Sequence, residues 1–413
     1  MSNSITTKTL DNGLTIILEE MSDLKSVAYS LMIPTGYIYD GNDKIGASIL
    51  LTELTSRGAG NRDTKALSNA FDDLGVRHSE GAGQYYTTYR GSLLSENITE
   101  ALALVADMVQ RPKLPEAEID NVRSLMLQDI QSMYDNPSRR VMTELGKLYY
   151  PDPFGRSSLG EVDGIKNTKL SDLKQIFDTR YSPNGAILSI AGNINAKAVL
   201  ASAENLFGSW KGERIEIPAF GKWPERKMHH IGTDSSQLQI AVAYPSVKFG
   251  EDQYYVARVT AGLFSGGMFG RLFIEVREKR GLCYSVYLSH SASGLSGANV
   301  VYAGTTTERA QETLDVIFDE LGRLKGTVSD EELARSKANI KSSLVMSEES
   351  SGSRAVSNSI DWWWLKRIRT LDEIQGAIES VTTNDIDKYL EDFPVGMPMI
   401  VTLGSKSLEF KGA

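Results

Sequence analysis

The chain repeats itself. Two stretches offset by about 214 residues pass through the same order of elements, and a repeat of that length says more about a fold than any local signal. In the first half, a helical pattern over 98–110 leads into Pro115-Glu116-Ala117-Glu118-Ile119 and a long second helix. That helix passes Met126 and Met133 and stops at Asn136-Pro137-Ser138-Arg139. In the second half, 309–324 reads as the first helix, and Ser329-Asp330-Glu331-Glu332-Leu333 opens the next, which runs to about 347. Both second helices begin with an acidic turn, as the positive end of a helix dipole favours. A polar break and a further helix follow in each. The ends agree as well: Leu170-Ser171-Asp172-Leu173 starts a helix and 185–190 reads as a strand, an order that Thr383-Asn384-Asp385-Ile386 and 399–403 repeat.

Between the copies lies Gly212-Glu213-Arg214-Ile215-Glu216-Ile217-Pro218-Ala219-Phe220-Gly221-Lys222-Trp223-Pro224. Its prolines, glycines and mixed charges predict an extended linker. The expected organisation is a first domain over 1–211, a linker over 212–226 and a homologous second domain over 227–413. Strand-like alternation over 238–243 and 299–303, with helices gathered in runs, predicts α+β architecture rather than βαβ winding. A hydrophobic share of 41% over 413 residues is that of an ordinary soluble chain. No stretch approaches the roughly 18–20 apolar residues of a membrane span. A net charge of −9 speaks against a nucleic-acid partner. Met1-Ser2-Asn3-Ser4-Ile5-Thr6 lacks the basic and apolar regions of a signal peptide, and the single Cys283 fits a reducing compartment, so the expectation is cytoplasmic.

Two segments carry chemistry. Phe264-Ser265-Gly266-Gly267-Met268-Phe269-Gly270-Arg271-Leu272-Phe273-Ile274-Glu275-Val276-Arg277-Glu278-Lys279-Arg280-Gly281-Leu282-Cys283-Tyr284-Ser285-Val286 reads as a glycine turn, a short amphipathic helix with basic side chains, and a strand opened by a glycine. The spacing is not that of a nucleotide-binding G-x-G-x-x-G. Cys283 and Tyr284, neighbours on a strand, should point to opposite faces, with the thiol inward. The other segment is Gly46-Ala47-Ser48-Ile49-Leu50-Leu51-Thr52-Glu53-Leu54-Thr55-Ser56-Arg57-Gly58-Ala59-Gly60. The four histidines, His78, His229, His230 and His290, form no H-x-x-E-H or H-x-x-x-H, and one cysteine cannot build a thiolate site, so no metal of the chain's own is expected.

These two segments resemble those of the pitrilysin/insulinase-type zinc peptidases. The second is similar to that family's zinc helix, G-x-A-H-x-x-E-H. The two His fall on Ile49 and Glu53, and the Glu that activates the zinc-bound water falls on Thr52. Two His four apart on one helix face can share a metal; isoleucine cannot ligate one and threonine cannot act as the base. Leu127-Gln128-Asp129-Ile130 resembles the segment that supplies the distal carboxylate, with Asp129 at the ligand position. Glu53 and Asp129 are expected to be solvated or hydrogen-bonded carboxylates. The Gly266-to-Val286 segment resembles the family's G-G-x-x-S-R-L-F-x-x-x-R-E-x-x-G-L-x-Y-S-V run, with Gly266, Gly267 and Gly270 as its glycine-rich loop. There the resemblance implies a substrate-binding pair, Arg277 and Tyr284.

The resemblance implies two homologous α/β-sandwich domains of the mitochondrial processing peptidase/LuxS-like metallohydrolase fold. It also implies a role: the non-catalytic subunit of a heterodimeric peptidase, inactive alone, whose Arg277 and Tyr284 serve a homologous partner that carries H-x-x-E-H, the zinc and the base. Peptide is the implied substrate, with no nucleic acid or membrane partner. The alternative is a non-proteolytic structural or binding protein on the same fold, like the core subunits of the respiratory bc1 complex. The run Trp362-Trp363-Trp364, followed by Lys366, Arg367 and Arg369, cannot bury all three indoles on one helix face and is a candidate interface.

Overall fold

The duplication in the sequence is a duplication of sheet topology. A computed structural model describes residues 4–410 and 412. The chain forms two units. The first takes the chain up to Ser132, Asp152–Phe220 and Ser347–Ile368; the second takes Met133–Pro151, Gly221–Met346 and the chain from Arg369 on. The first contains β1 (Ser4–Thr9), β2 (Thr15–Glu20), β3 (Ser26–Ile33), a short hairpin of β4 (Gly58–Ala59) and β5 (Arg62–Asp63), β6 (Arg77–Ala82), β7 (Thr87–Leu94) and β8 (Ile187–Gly192). Its main sheet has the order β1-β2-β8-β3-β7-β6. The second contains β9 (Met228–Gly232), β10 (Gln237–Ser246), β11 (Cys283–Ala292), β12 (Gly297–Thr306) and β13 (Met399–Gly404), in the order β9-β13-β10-β12-β11. That order matches β2-β8-β3-β7-β6 strand for strand. In each sheet one pair is parallel, β2–β8 in the first and β9–β13 in the second, and the others are antiparallel.

Strand alternation sends two apolar sets to the two faces of each sheet. Ile16, Leu18 and Leu31 join the large core of the first unit, with the helices Ala47–Thr55, Ile98–Gln110, Leu170–Arg180 and Ala196–Phe207. Ile17, Met32 and Ile187 face the other way and meet Trp362 and Trp363 of the helix Ser351–Leu365. In the second unit Leu238, Ile240 and Val242 face the helices Tyr254–Ser265 and Ala310–Arg323. Ala241, Ala243 and Val401 face Val141, Leu145 and Tyr149 of the helix Pro137–Tyr149. Thus the helix after each polar break lies in the unit built mainly from the other half of the sequence. Alanines on the receiving faces, Ala28 and Ala191 in one sheet and Ala241 and Ala243 in the other, let it approach closely. The stretch 212–226 has no regular secondary structure; the chain passes from the first unit to the second at Phe220–Gly221, and each unit also takes one helical segment from the other half of the sequence.

A buried ion pair fixes the borrowed helix of the first unit. Glu19, on the same face of β2 as Ile17, lies 2.9 Å from Arg354 Nε, and their side chains are only 2% and 4% exposed. Arg354 also reaches Glu348 at 2.6 Å and Asn358 Oδ1 at 3.0 Å, and Asn358 donates back to Glu19 at 2.7 Å. Tyr85-Tyr86-Thr87-Thr88-Tyr89 joins the sheet only from Thr87. Tyr85 and Tyr86 sit in the turn closed by Gly83 N–H to the Tyr86 carbonyl (2.8 Å), and their rings meet Trp364 and Trp363 edge-on at 5.1 and 5.5 Å.

Candidate functional site

In the second unit, the glycine-rich stretch leaves the helix Tyr254–Ser265 through Gly267, whose φ of +89° suits glycine. A Cβ at Gly270 would lie 2.5 Å from the Phe264 carbonyl oxygen, so the return of the chain needs that residue bare. Met268 and Phe269 at the tip are 70% and 61% exposed. The segment that follows is helical, but not a plain α-helix as the pattern suggested: Phe273–Glu278 is π-helical, with Lys279 N–H donating to the Ile274 carbonyl five residues back at 2.9 Å. Such wide turns recur at functional sites. Arg277 is exposed on it, stacked over the Phe273 ring at 5.1 Å. Glu275 takes Lys279 and Arg280 as its partners, and among the described residues Arg277 has no ion pair.

Tyr284 is aimed by a β-bulge. Cys283 pairs with Thr305 and Ser285 with Gly304, so Tyr284 is the extra residue on β11. Bulges of this kind redirect a side chain. The ring lies against Gly304, where a Cβ would be 2.3 Å from the phenolic oxygen. Its hydroxyl donates to Gln239 Oε1 at 3.2 Å, with Gln237 Oε1 at 3.4 Å. Tyr302 donates to the same Gln239 oxygen at 2.7 Å, and its ring is 5.3 Å from Tyr287. Burial, and then the neighbouring Tyr284 hydroxyl, push the Tyr302 hydroxyl upward, which keeps it a neutral donor. The result is a half-exposed phenol held on a buried amide, on the face of the sheet that carries Ala241 and Ala243. Cys283 is buried and its thiol is pushed up to about 11 by that burial, so it offers no thiolate near neutrality.

The start of the Arg277 segment is anchored by Arg271, whose fork reaches Glu332 at 2.9 and 3.0 Å and the Thr327 carbonyl at 2.7 Å. The Arg271 fork, with the Ser329 N–H, holds the Glu332 carboxyl down at about 2. Its folded value lies below the unfolded value of about 4.3, so its contribution is complete above that pH and fades as pH falls towards about 2. We expect Glu332→Gln to lower the unfolding free energy at pH 7 by about 1–2 kcal/mol. The gap between variant and parent should close in urea titrations repeated from pH 4.5 downward. A gap that does not change with pH would assign the loss to packing instead.

The degenerate helix of the first unit is part of the core. Its N-terminus is held by Asp40, which accepts from Gly46 N–H at 2.9 Å and from the Ser48 hydroxyl at 2.5 Å. Ile49 packs on the core, and Thr52, 1% exposed, donates to the Ser48 carbonyl at 2.7 Å. One turn on, Thr55, Tyr89 and Tyr181 form a buried hydroxyl chain with links of 2.8 and 3.0 Å. Glu53 is half-buried, and burial, then the charge of Glu80, raise its carboxyl, with Asp129 adding and Arg57 opposing. The one nearby imidazole, His78, is stacked on Phe71 at 4.2 Å and paired with Glu80 at 3.3 Å. The donor set does not suit a catalytic zinc: an aliphatic side chain, a hydroxyl turned into the core, and carboxylates that disfavour one another's charge. Among the described residues no group of three or more His, Cys, Asp or Glu is placed to hold a metal ion.

The structure therefore sets Ile49, Thr52 and Glu53 on one helix with Asp129 within electrostatic reach of Glu53. Separately, it sets the glycine loop, Arg277 and Tyr284 around one helix–strand connection. Sequence reasoning missed Gln239, the residue that holds Tyr284. A signal was present: in Gln237-Leu238-Gln239-Ile240-Ala241-Val242, the polar and small residues alternate with the apolar ones, which marks a face that is not closed core.

The chain is similar to known proteins over nearly its whole length. A family model described as insulinase (peptidase family M16) matches residues 15–160, and one described as peptidase M16 inactive domain matches 168–340. The chain is 28% identical to an uncharacterized zinc protease of Bacillus subtilis, over 94% of this chain and 97% of that one. It is 28% identical to an uncharacterized zinc protease of Rickettsia felis, over 94% of each. Among solved structures it is similar in fold to a peptidase M16 inactive domain from Pseudomonas fluorescens (TM-score 0.86, 20% identity, 99% of this chain and 100% of that one). It is also similar to a protease from Helicobacter pylori (TM-score 0.89, 19% identity, 98% and 100%).

Proposed function

Since the chain belongs to the insulinase family, peptidase family M16, we propose that it is the non-catalytic subunit of a two-chain zinc peptidase. The observation that carries this reading is an asymmetry between two sites of one chain. The zinc helix has become core, with Ile49 and Thr52 where a ligand and a base would stand. The Arg277/Tyr284 segment keeps a bulge, a bare Gly304 and a buried Gln239 that together hold one phenol in place. Packing alone gives no reason to keep an exposed arginine and a half-exposed tyrosine so arranged.

On this reading the chain binds peptide and a homologous H-x-x-E-H partner supplies zinc, water and base. A peptide carbonyl under attack develops negative charge; a phenol O–H or a guanidinium fork beside it stabilises that charge and holds the backbone. The test is capture of partners with the tagged chain from its native lysate, followed by peptide cleavage with the recovered complex. Recovery of a similar-sized chain bearing H-x-x-E-H, and cleavage only by the pair, is the expected result. Stoichiometric zinc and cleavage by this chain alone would overturn it. Recovery of structural or membrane components alone would favour the non-proteolytic alternative, represented in the resemblance by the bc1 core subunits.

A further inference from the structure

A cavity lies in the first unit, lined in part by the segment that leads out of it. It has a volume of about 230 Å³ and is lined on its apolar side by Ile215, Ile217, Trp363 and Trp364. Its polar lining is rich in donors: Arg214 and Lys366, with Glu216 paired to Arg214 at 3.2 Å. The indole N–H of Trp363 is buried and has no hydrogen-bond partner among the described residues. Buried tryptophan N–H groups normally find an acceptor. Tyr39 lies alongside, within reach of the Arg214, Arg180 and Glu216 charges, and its buried hydroxyl also lacks a partner among the described residues.

The placement of Lys366 is the second observation. It closes the helix Ser351–Leu365 with φ of +55°, in the left-handed region, its N–H bonded to the Trp362 carbonyl at 3.2 Å. Glycine is the usual residue at such a helix end. A lysine there carries backbone strain, and its ammonium stands over the Trp363 ring at 5.9 Å. Burial and the Arg214 charge both lower its pKa, and Glu216, paired to Arg214, is the one carboxylate in the cavity's lining. A cavity lined by two exposed cations and an aromatic wall is suited to an anion on an apolar body.

We propose that this cavity binds the C-terminal residue of a peptide, its carboxylate against Lys366 and Arg214 and its apolar side chain against Trp363 and Trp364. The volume admits one residue and not a folded partner. This site lies outside the Arg277/Tyr284 segment, and the inference does not depend on a second subunit.

The test uses the full chain and three probes: acetyl-Ala-Ala-Phe as the free acid, the same peptide as its C-terminal amide, and inorganic phosphate. Binding is followed by calorimetry and by the indole N–H resonance of Trp363, assigned by its absence in Trp363→Phe. We expect saturable binding of the free acid with a shift of that resonance, and binding of the amide at least about tenfold weaker. Lys366→Gly removes the cation and suits the backbone, so it should keep the fold while weakening the free acid about tenfold. Equal binding of acid and amide would overturn the proposal, as would no saturable binding of the acid. Phosphate binding as tight as the peptide acid would reduce the cavity to a general anion site and overturn it too.

Discussion

We expect Arg354→Ala to cost the protein about 3–5 kcal/mol, the penalty of leaving a buried charge without its partner. Glu19 is 1% exposed and would lose the guanidinium that lies 2.9 Å from it. Urea denaturation followed by tryptophan emission reads the effect directly, because Trp362 and Trp363 of that helix pack on Ile17, Met32 and Ile187. The reciprocal experiment separates pairing from packing. Replacing both partners together, Glu19→Leu with Arg354→Met, removes both desolvation penalties and should recover most of the loss. A single variant within about 1 kcal/mol of the parent would mean that the apolar face alone holds the helix. The prediction bears on function as well as stability. This helix belongs by sequence to the second half and by packing to the first unit, so it is one of the two elements through which the repeats are interleaved.

That interleaving marks where legibility ended. The repeat itself was plain because helices such as 116–134 and 330–348 carry strong local signals: an acidic first turn, a long amphipathic run, a polar stop. Those signals state what each helix is and not which sheet receives it. The choice is made by a few small residues on strand faces, Ala28 and Ala191 in one sheet and Ala241 and Ala243 in the other, which look like ordinary strand positions in a linear reading. Something similar holds at the site. Arg277 and Tyr284 could be named from their motif, but the means of holding them could not. The bulge at Tyr284 exists only in the register between β11 and β12, and the clearance over Gly304 only across that same pair. The wide helical turn at Phe273–Glu278 depends on one hydrogen bond, from Lys279 to Ile274, that no periodicity announces. The absence of the two histidines, by contrast, is a property of the sequence itself, since no change of register turns Ile49 or Glu53 into a histidine.

The largest functional effect should come from Tyr284 and Arg277, measured in the complex with an H-x-x-E-H partner. On the proposed reading Tyr284→Phe removes one donor from a developing oxyanion and lowers kcat on the order of 100-fold or more, with KM changed much less. Arg277→Ala should act chiefly on KM, by about 10- to 100-fold, because a guanidinium that grips peptide backbone in the ground state contributes to binding throughout. Arg277→Lys should not restore it, since an ammonium lacks the planar fork. Neither change should weaken the fold: Arg277 is exposed without an ion pair among the described residues, and the Tyr284 hydroxyl shares its acceptor, Gln239, with Tyr302. Assembly with the partner therefore serves as the internal control. Full activity in both variants with assembly intact would remove the substrate-binding role from this segment and leave the structural, non-proteolytic reading in its place. Gln239→Leu adds a further discrimination. The single phenolic proton is given to Gln239 Oε1 in the free chain, so this change removes a competing acceptor, and a Tyr284 that acts as a donor to the oxyanion should keep its activity where Tyr284→Phe loses it.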